Sequence, residues 1–287
     1  KGFTSVNVGL RKALVGYYDR RFGVKLDPGK EVVVTLGSKE GFANLAQAIA
    51  APGDTIIVPN PSYPLHSFGF IMAGASIRSV EAHSPEQYLS NLGRAVRHSI
   101  PSPTAMVVCY PANPTAQVVD LDFYKEVVKF AKKHEIWVLS DLAYTEIYYG
   151  DPPPSILQVA PGQEGVLAVF SLSKRSGMTG YRAGIVAGDP AVMQRLRTLR
   201  TNPGLAPQDF VNAAAAAAWS DDTHADARRG IFAEKRAVLM EFFAEAGVEV
   251  VASEASFYLW VRAPEGMDGQ RYAEHLLSVG ILAYPGA

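Results

Sequence analysis

A chain of 287 residues with 27 basic and 28 acidic side chains has a formal net charge of −1, which gives no reason to expect bulk attraction to nucleic acid or to an anionic membrane. Its 48% hydrophobic and 19% charged residues suit a globular protein with a large core, in one big domain plus a smaller one. The one cysteine, Cys109, excludes an internal disulfide and reads as a packing residue, which fits a reducing, cytoplasmic setting. There is no run of about 18 apolar residues and no signal-peptide pattern. Lys1 in place of an initiating Met, and an abrupt end at Tyr284-Pro285-Gly286-Ala287, suggest that the natural termini are missing.

Leu10, Ala13, Leu14, Tyr17 and Tyr18 recur at helical spacing and predict an amphipathic helix over 10–22. Asp27-Pro28-Gly29 turns the chain into a β-branched strand, 32–35. A helix then runs to about residue 50, with Ser38 as its N-cap or as an anion seat, and Lys39 beside it favours the anion. Strand 55–58 ends in Pro59-Asn60-Pro61-Ser62-Tyr63-Pro64, where Tyr63 is either a surface aromatic or a flat lid preset by prolines. Helix 65–73, strand 75–80 and helix 85–99 follow. Strand 105–109 leads to Tyr110-Pro111-Ala112-Asn113-Pro114-Thr115, in which Asn113 alone would be a turn former. Helix 121–134 precedes strand 137–140, which ends at Asp141 with Tyr144 three residues on.

The apolar run 166–170 predicts a buried strand. After it come Ser171-Leu172-Ser173-Lys174-Arg175 and Gly180-Tyr181-Arg182-Ala183-Gly184. Arg175 beside Lys174 is expected to help keep the amine neutral, and Ser171, Ser173 and Arg182 to bind an anion. Then come strand 181–187, helices 191–200 and 207–219, and a long helix, 222–247, stopped by Gly247. Six alanines, 213–218, suit close helix packing or a subunit contact. Strands 248–251 and 256–261, helix 269–279 and strand 281–283 complete the reading. The alternation predicts an α/β fold with a mostly parallel central sheet flanked by helices. Residues 1–221 form the large domain, and 222–287 a smaller, incomplete α+β domain that begins with the long helix.

A lone lysine in a loop is most often a solvated side chain. Here Ser38, Tyr63, Asn113, Asp141 and Lys174 each fall just beyond a predicted strand end, where open α/β sheets bind ligands. One ligand type uses them all: a planar phosphorylated aldehyde, which needs an amine, anion donors, a flat ring and a carboxylate for its ring nitrogen. Pyridoxal 5′-phosphate has these requirements.

On Gly37-Ser38-Lys39, Asn60-Pro61-Ser62-Tyr63, Asn113-Pro114-Thr115, Asp141-Leu142-Ala143-Tyr144 and the lysine stretch, the chain resembles the class I/II (fold type I) pyridoxal-phosphate-dependent aminotransferases, with the fold of aspartate aminotransferase. The resemblance implies that Lys174 forms the Schiff base with the cofactor and acts as general base. It implies that Asp141 pairs with the ring nitrogen, that Tyr144 and Asn113 contact the ring hydroxyl, and that Tyr63 stacks on the ring. Ser38, Lys39, Ser171, Ser173 and Arg182 would hold the phosphate. It further implies cis bonds before Pro61 and Pro114, a homodimer, and amino-acid and 2-oxo-acid substrates with ping-pong kinetics. No metal is expected.

Within the family, Ser173-Lys174-Arg175-Ser176, Pro152-Pro153-Pro154-Ser155 and the stretch 218–224 resemble N-succinyldiaminopimelate aminotransferases of lysine biosynthesis. Glutamate would then be the donor and N-succinyl-2-amino-6-oxopimelate the acceptor. The alternatives are LL-diaminopimelate, alanine or aspartate aminotransferase, a carbon–sulfur lyase or acyl-CoA-dependent synthase of the same fold, or a cofactor-sensing regulatory domain. Ala116 stands where many family members carry Gly, and the family's substrate-carboxylate arginine is expected beyond Ala287.

Overall fold

The computed structural model describes residues 8–160 and 164–286. The apolar runs between turns become β1 (Val32–Thr35), β2 (Thr55–Asn60), β3 (Ser76–Glu81), β4 (Pro103–Cys109), β5 (Trp137–Asp141), β6 (Val166–Ser171) and β7 (Gly184–Gly188). They form one sheet in the order β1-β7-β6-β5-β4-β2-β3. From β3 to β6 every neighbouring pair is parallel, while β7 runs antiparallel to both β1 and β6. The carboxyl ends of six strands therefore share one edge, and only β7 begins there.

Strands with helices on both faces are buried on both sides, so they read as continuous apolar runs. Along β6, Val166, Ala168 and Phe170 enter one core, and Leu167 and Val169 enter the other. The first core packs the sheet against α1 (Val8–Phe22), α4 (Pro85–Arg97), α5 (Leu121–His134) and α8 (Asp209–Ser220). The second uses α2 (Gly37–Ile49), α3 (Pro64–Ile71) and α7 (Pro190–Thr201). In α1, Leu10, Leu14, Tyr17 and Tyr18 fall on one stripe and are buried, as helical periodicity demands. The alanine run lies on α8, which packs against α1. Its small side chains permit close approach, and Trp219 at its end sits 4.6 Å from the Tyr17 ring.

The remaining elements are α6 (Leu172–Arg175), α9 (Thr223–Glu245), β8 (Val250–Ala252), β9 (Trp260–Val261) and α10 (Gly269–Ser278). Among the described residues no helix is long and apolar enough to cross a membrane.

Three strand expectations are corrected. The expected strand 181–187 begins only at Gly184, because Thr179–Tyr181 forms a 3-10 turn and Arg182 has φ 53°. The expected strand 256–261 pairs only at Trp260–Val261, because Ser256 has φ 63° and folds back to accept the Tyr258 N–H. Residues 281–283 make no strand; Ile281 and Leu282 are exposed, without a neighbouring ladder.

At Gly184 the reversed strand touches the start of α2. A Cβ there would lie 2.5 Å from the Gly37 carbonyl carbon and 2.6 Å from the Ser38 nitrogen, both backbone atoms that cannot yield cheaply. Gly184→Ala is expected to destabilise the chain by about 1–3 kcal/mol, the scale of overpacking. Gly180→Ala, with open space around the site, should stay within about 0.5 kcal/mol. Urea midpoints of the two variants check this; equal midpoints would refute the close approach.

Candidate active site

The strand ends deliver the singled-out side chains to one place. Ser38 and Lys39 lie in the first turn of α2, after β1, and Tyr63 immediately precedes α3, after β2. Asn113 follows β4, Asp141 is the last residue of β5, and Tyr144 lies in the next turn. Ser171 ends β6, Ser173 and Lys174 lie in α6, and Arg182 precedes β7. All ten line one cavity of about 260 Å³, together with Ala143, Thr179 and Tyr258. A larger groove of about 750 Å³, walled by Pro152, Pro153, Pro154 and the carboxylates of Glu86, Asp120 and Glu126, contains none of the ten. The peptide bonds before Pro61 and Pro114 are cis, as are those before Pro101 and Pro111. Ala116, buried beyond this turn, has φ 60°, a region that favours glycine.

One end of the cavity is built for an anion. Of the two readings of Ser38, the cap is not realised: Leu36 occupies the cap position, and its N–H donates 2.6 Å to Oε2 of Glu40, whose Oε1 accepts from Arg200 Nε at 2.8 Å. That leaves the Ser38 hydroxyl free of capping duty. Gly37 has φ 79°, and the Arg182 guanidinium lies where its Cβ would be. Arg182 donates to the carbonyls of Thr179 (3.0 Å) and Leu36 (3.4 Å), and these neutral partners leave its charge available to an anion. Ser171 Oγ accepts the Ser173 N–H at 3.1 Å and starts α6. Two cations, three serine hydroxyls and a helix N-terminus are a donor set for a dianion such as a phosphate monoester.

Another wall carries a buried carboxylate. Asp141 is 8% exposed. Its Oδ1 accepts the Ala143 N–H at 3.0 Å, and its Oδ2 lies 3.0 Å from His66 Nε2. Ser62 Oγ is 2.6 Å from His66 Nδ1. An ionised carboxylate only accepts, so Nε2 carries the proton, and in a neutral ring the Ser62 hydroxyl donates to Nδ1. This chain holds the Asp141 charge in place. Sequence reasoning misses His66; the available signal is a histidine four residues after Ser62, one helical turn from the proline-rich loop. The Cys109 thiol converges on the same pair, with ligand-type atoms within 4.8 Å of one another. Burial, and then the Asp141 charge, push its pKa well up, so it stays a protonated packing residue.

Lys174 is half-buried, and burial lowers its pKa. The expected contribution of Arg175 is corrected. Arg175 turns away from the cavity, packs over the Tyr17 and Trp219 rings, and pairs with Asp222 Oδ1 at 2.5 Å. The Lys174 amine instead faces aromatic rings, 4.9 Å from the Phe257 centroid and 5.8 Å from that of Tyr144. The Tyr144 hydroxyl lies 3.0 Å from that of Tyr258. Burial and then this hydrogen bond raise its pKa, so it stays protonated. Sequence reasoning also misses Phe257 and Tyr258, because it expects an extended strand where the backbone turns.

An amine of lowered basicity, a buried carboxylate, a flat phenol and an anion seat share one cavity. This donor set fits pyridoxal 5′-phosphate.

The chain was compared with known protein families, curated proteins and solved structures. The family model "Aminotransferase class I and II" matches residues 3–286. The chain is 50% identical to AatC of Rhizobium meliloti (strain 1021) over 260 residues, which is 90% of this chain and 64% of that protein. It is 38% identical to the glutamate-pyruvate aminotransferase AlaC of Escherichia coli (strain K12) over 276 residues, 94% of this chain and 66% of AlaC. It thus spans a little under two thirds of the length of these two relatives. A solved structure of a probable N-succinyldiaminopimelate aminotransferase from Thermus thermophilus superposes with a TM-score of 0.89 at 26% identity, covering 97% of this chain and 75% of that one. The chain belongs to the class I and II aminotransferases, a family that uses pyridoxal 5′-phosphate.

Proposed function

We propose that the protein transfers an amino group from glutamate to a 2-oxo acid, using pyridoxal 5′-phosphate held in the 260 Å³ cavity. The observation that carries this reading is the Lys174 amine, its basicity lowered by burial, in one cavity with the buried Asp141 carboxylate and the anion seat. When bound, the cofactor supplies an electron sink for the carbon that loses its proton. Ser38, Lys39, Ser171, Ser173 and Arg182 would grip its phosphate. Asp141, held by His66 and the Ala143 N–H, would pair with its ring nitrogen. Tyr144 and Asn113 would meet the ring hydroxyl, and Tyr63 would cover a ring face. Lys174 would tether the cofactor through its amine. Once displaced, the same amine takes the substrate α-proton and returns it, as a general base and then acid. Because the folded environment lowers its pKa, a larger share of Lys174 is neutral near pH 7 than for a solvated lysine.

For the acceptor, two readings have support. The motifs around Lys174, and the name of the Thermus structure, favour an N-succinylated amino-oxopimelate. The name of AlaC favours pyruvate. We further propose a homodimer, supported by the exposed apolar side chains of Phe68, Ile71, Met72 and Phe210. A cytoplasmic location, and a small domain formed by residues 222–287, belong to the same reading.

Borohydride reduction of the cofactor-loaded chain should fix the cofactor's mass on the Lys174 peptide, and Lys174→Ala should remove that adduct entirely. A wild-type chain that gains no mass at Lys174 would overturn the assignment. Glutamate should convert the bound aldehyde to its amine form, seen as a loss of visible absorbance, and a 2-oxo acid should restore it. Asp141→Asn should slow that conversion by about two orders of magnitude, the scale of losing one preorganised charge beside a reacting group. Restoration tested with pyruvate and with the succinylated oxo acid ranks the two acceptors; restoration by neither would refute both acceptor readings.

A further inference from the structure

The segment 253–258 lies outside the central sheet yet reaches the cavity as a strap. Ala255 bridges Tyr148, and the Ser256 N–H donates to the Ile147 carbonyl at 2.7 Å. The Tyr149 hydroxyl donates to the Ser256 carbonyl at 2.6 Å. The left-handed turn at Ser256, φ 63°, then directs Phe257 and Tyr258 back towards β5. Phe257 meets the Tyr144 ring edge-on at 5.3 Å, and its own ring lies 4.9 Å from Lys174 Nζ.

Behind Phe257 is a second set of contacts. Its ring lies 5.8 Å from that of Phe232 on α9, tilted by 31°. The Arg228 guanidinium lies over Phe232 at 5.4 Å. That guanidinium also packs on Gly177: a Cβ there would fall 2.5 Å from Nη1 and 2.9 Å from Cζ. Gly177 is three residues beyond Lys174. The contacts close a ring from the lysine's own loop through Arg228, Phe232 and Phe257 back to the lysine amine.

We propose that Phe257 is a positioning residue for Lys174: the strap brings its ring over the amine and excludes water, and the Phe232–Arg228–Gly177 stack holds that ring against the lysine's loop. A half-covered ammonium loses hydration, which disfavours its charged form. The charged and titratable groups sharing the cavity are Asp141 at the end of β5, Tyr63 before α3, Tyr144 in the turn after β5, Tyr258 on the strap, Lys39 on α2 and Arg182 before β7. Arg228 of α9 reaches Gly177, and Arg175 faces away towards Asp222. The direction found for Lys174, downward by burial, agrees with water exclusion. A ring face also attracts a cation, which would act in the opposite direction. The two effects predict opposite consequences of removing the ring.

The significance of the amine for transamination rests on the function proposed above; its covering by Phe257 does not. The test therefore uses the full chain, freed of bound aldehydes with hydroxylamine and dialysed. Trace acetylation with acetic anhydride from about pH 6 to about pH 11 spans the titration of a lysine whose pKa lies at or below the ordinary value. Labelling of the Lys174 peptide is read by mass spectrometry as a titration midpoint. In Phe257→Ala the midpoint should move to higher pH, and the neutral fraction below it should fall several-fold. Phe257→Leu, which keeps an apolar cover, should stay near wild type. Phe232→Ala, on the far side of the Phe257 ring, should give a smaller upward shift, and it decides the matter if Phe257→Ala does not fold. A midpoint that stays put or moves down, or that shifts equally for leucine and alanine, overturns the proposal. If the shift occurs while Lys174 never acquires the cofactor's mass, the function falls and the role of Phe257 stands.

Discussion

An ionised carboxylate at the end of a central strand is the constraint on which the site depends. Moving such a charge out of water costs several kcal/mol unless its oxygens are met. Asp141 meets the cost with the Ala143 N–H on one oxygen and His66 on the other. Meeting it requires α3 to start where it does, so that His66 stands between Ser62 and the carboxylate. The order of the strands does the rest. β5 lies between β4 and β6, so the loops carrying Asn113 and Lys174 flank the acid. The cavity is thereby polarised, with Asp141 on one wall and Lys39 and Arg182 on another. A ligand with a cationic ring atom and an anionic tail matches both.

Much of this is legible in the sequence, and the limits have physical causes. The strands are visible because sheets covered on both faces demand unbroken apolar runs. The ten site residues are visible because they follow those runs. Ser38 reads as either a cap or an anion seat, and what excludes the cap is Glu40, which reaches back to take the Leu36 N–H at the true start of the helix. Arg175 reads as a partner of Lys174, yet neighbours in a helical turn point about 100° apart, and α6 turns it into the Tyr17–Trp219 cage. His66, Phe257 and Tyr258 act through contacts 75 to 114 residues away in the chain, or through the turn at Ser256, and no local pattern announces either.

The burial of Lys174 and the protonation of Tyr144 have a shared origin. Each polar group faces the same patch of rings, and each is shifted chiefly by loss of water. The shifts favour a neutral amine and a neutral phenol side by side. The neutral amine can take a proton from a ligand, and the neutral phenol can donate a hydrogen bond to it, without first shedding a tightly held hydration shell.

The reversed direction of β7 has a mechanical consequence. Because β6 and β7 are antiparallel, Ser171 stands opposite Gly184, and the Leu172 N–H donates to the Ala183 carbonyl at 3.1 Å. The segment between them makes a closed loop that leaves the ligand edge and returns to it. Lys174 lies near one foot of that loop and Arg182 near the other. The ladder rung works as a spacer bar: it fixes the distance between the two feet of the loop, and so the places from which Lys174 and Arg182 enter the cavity.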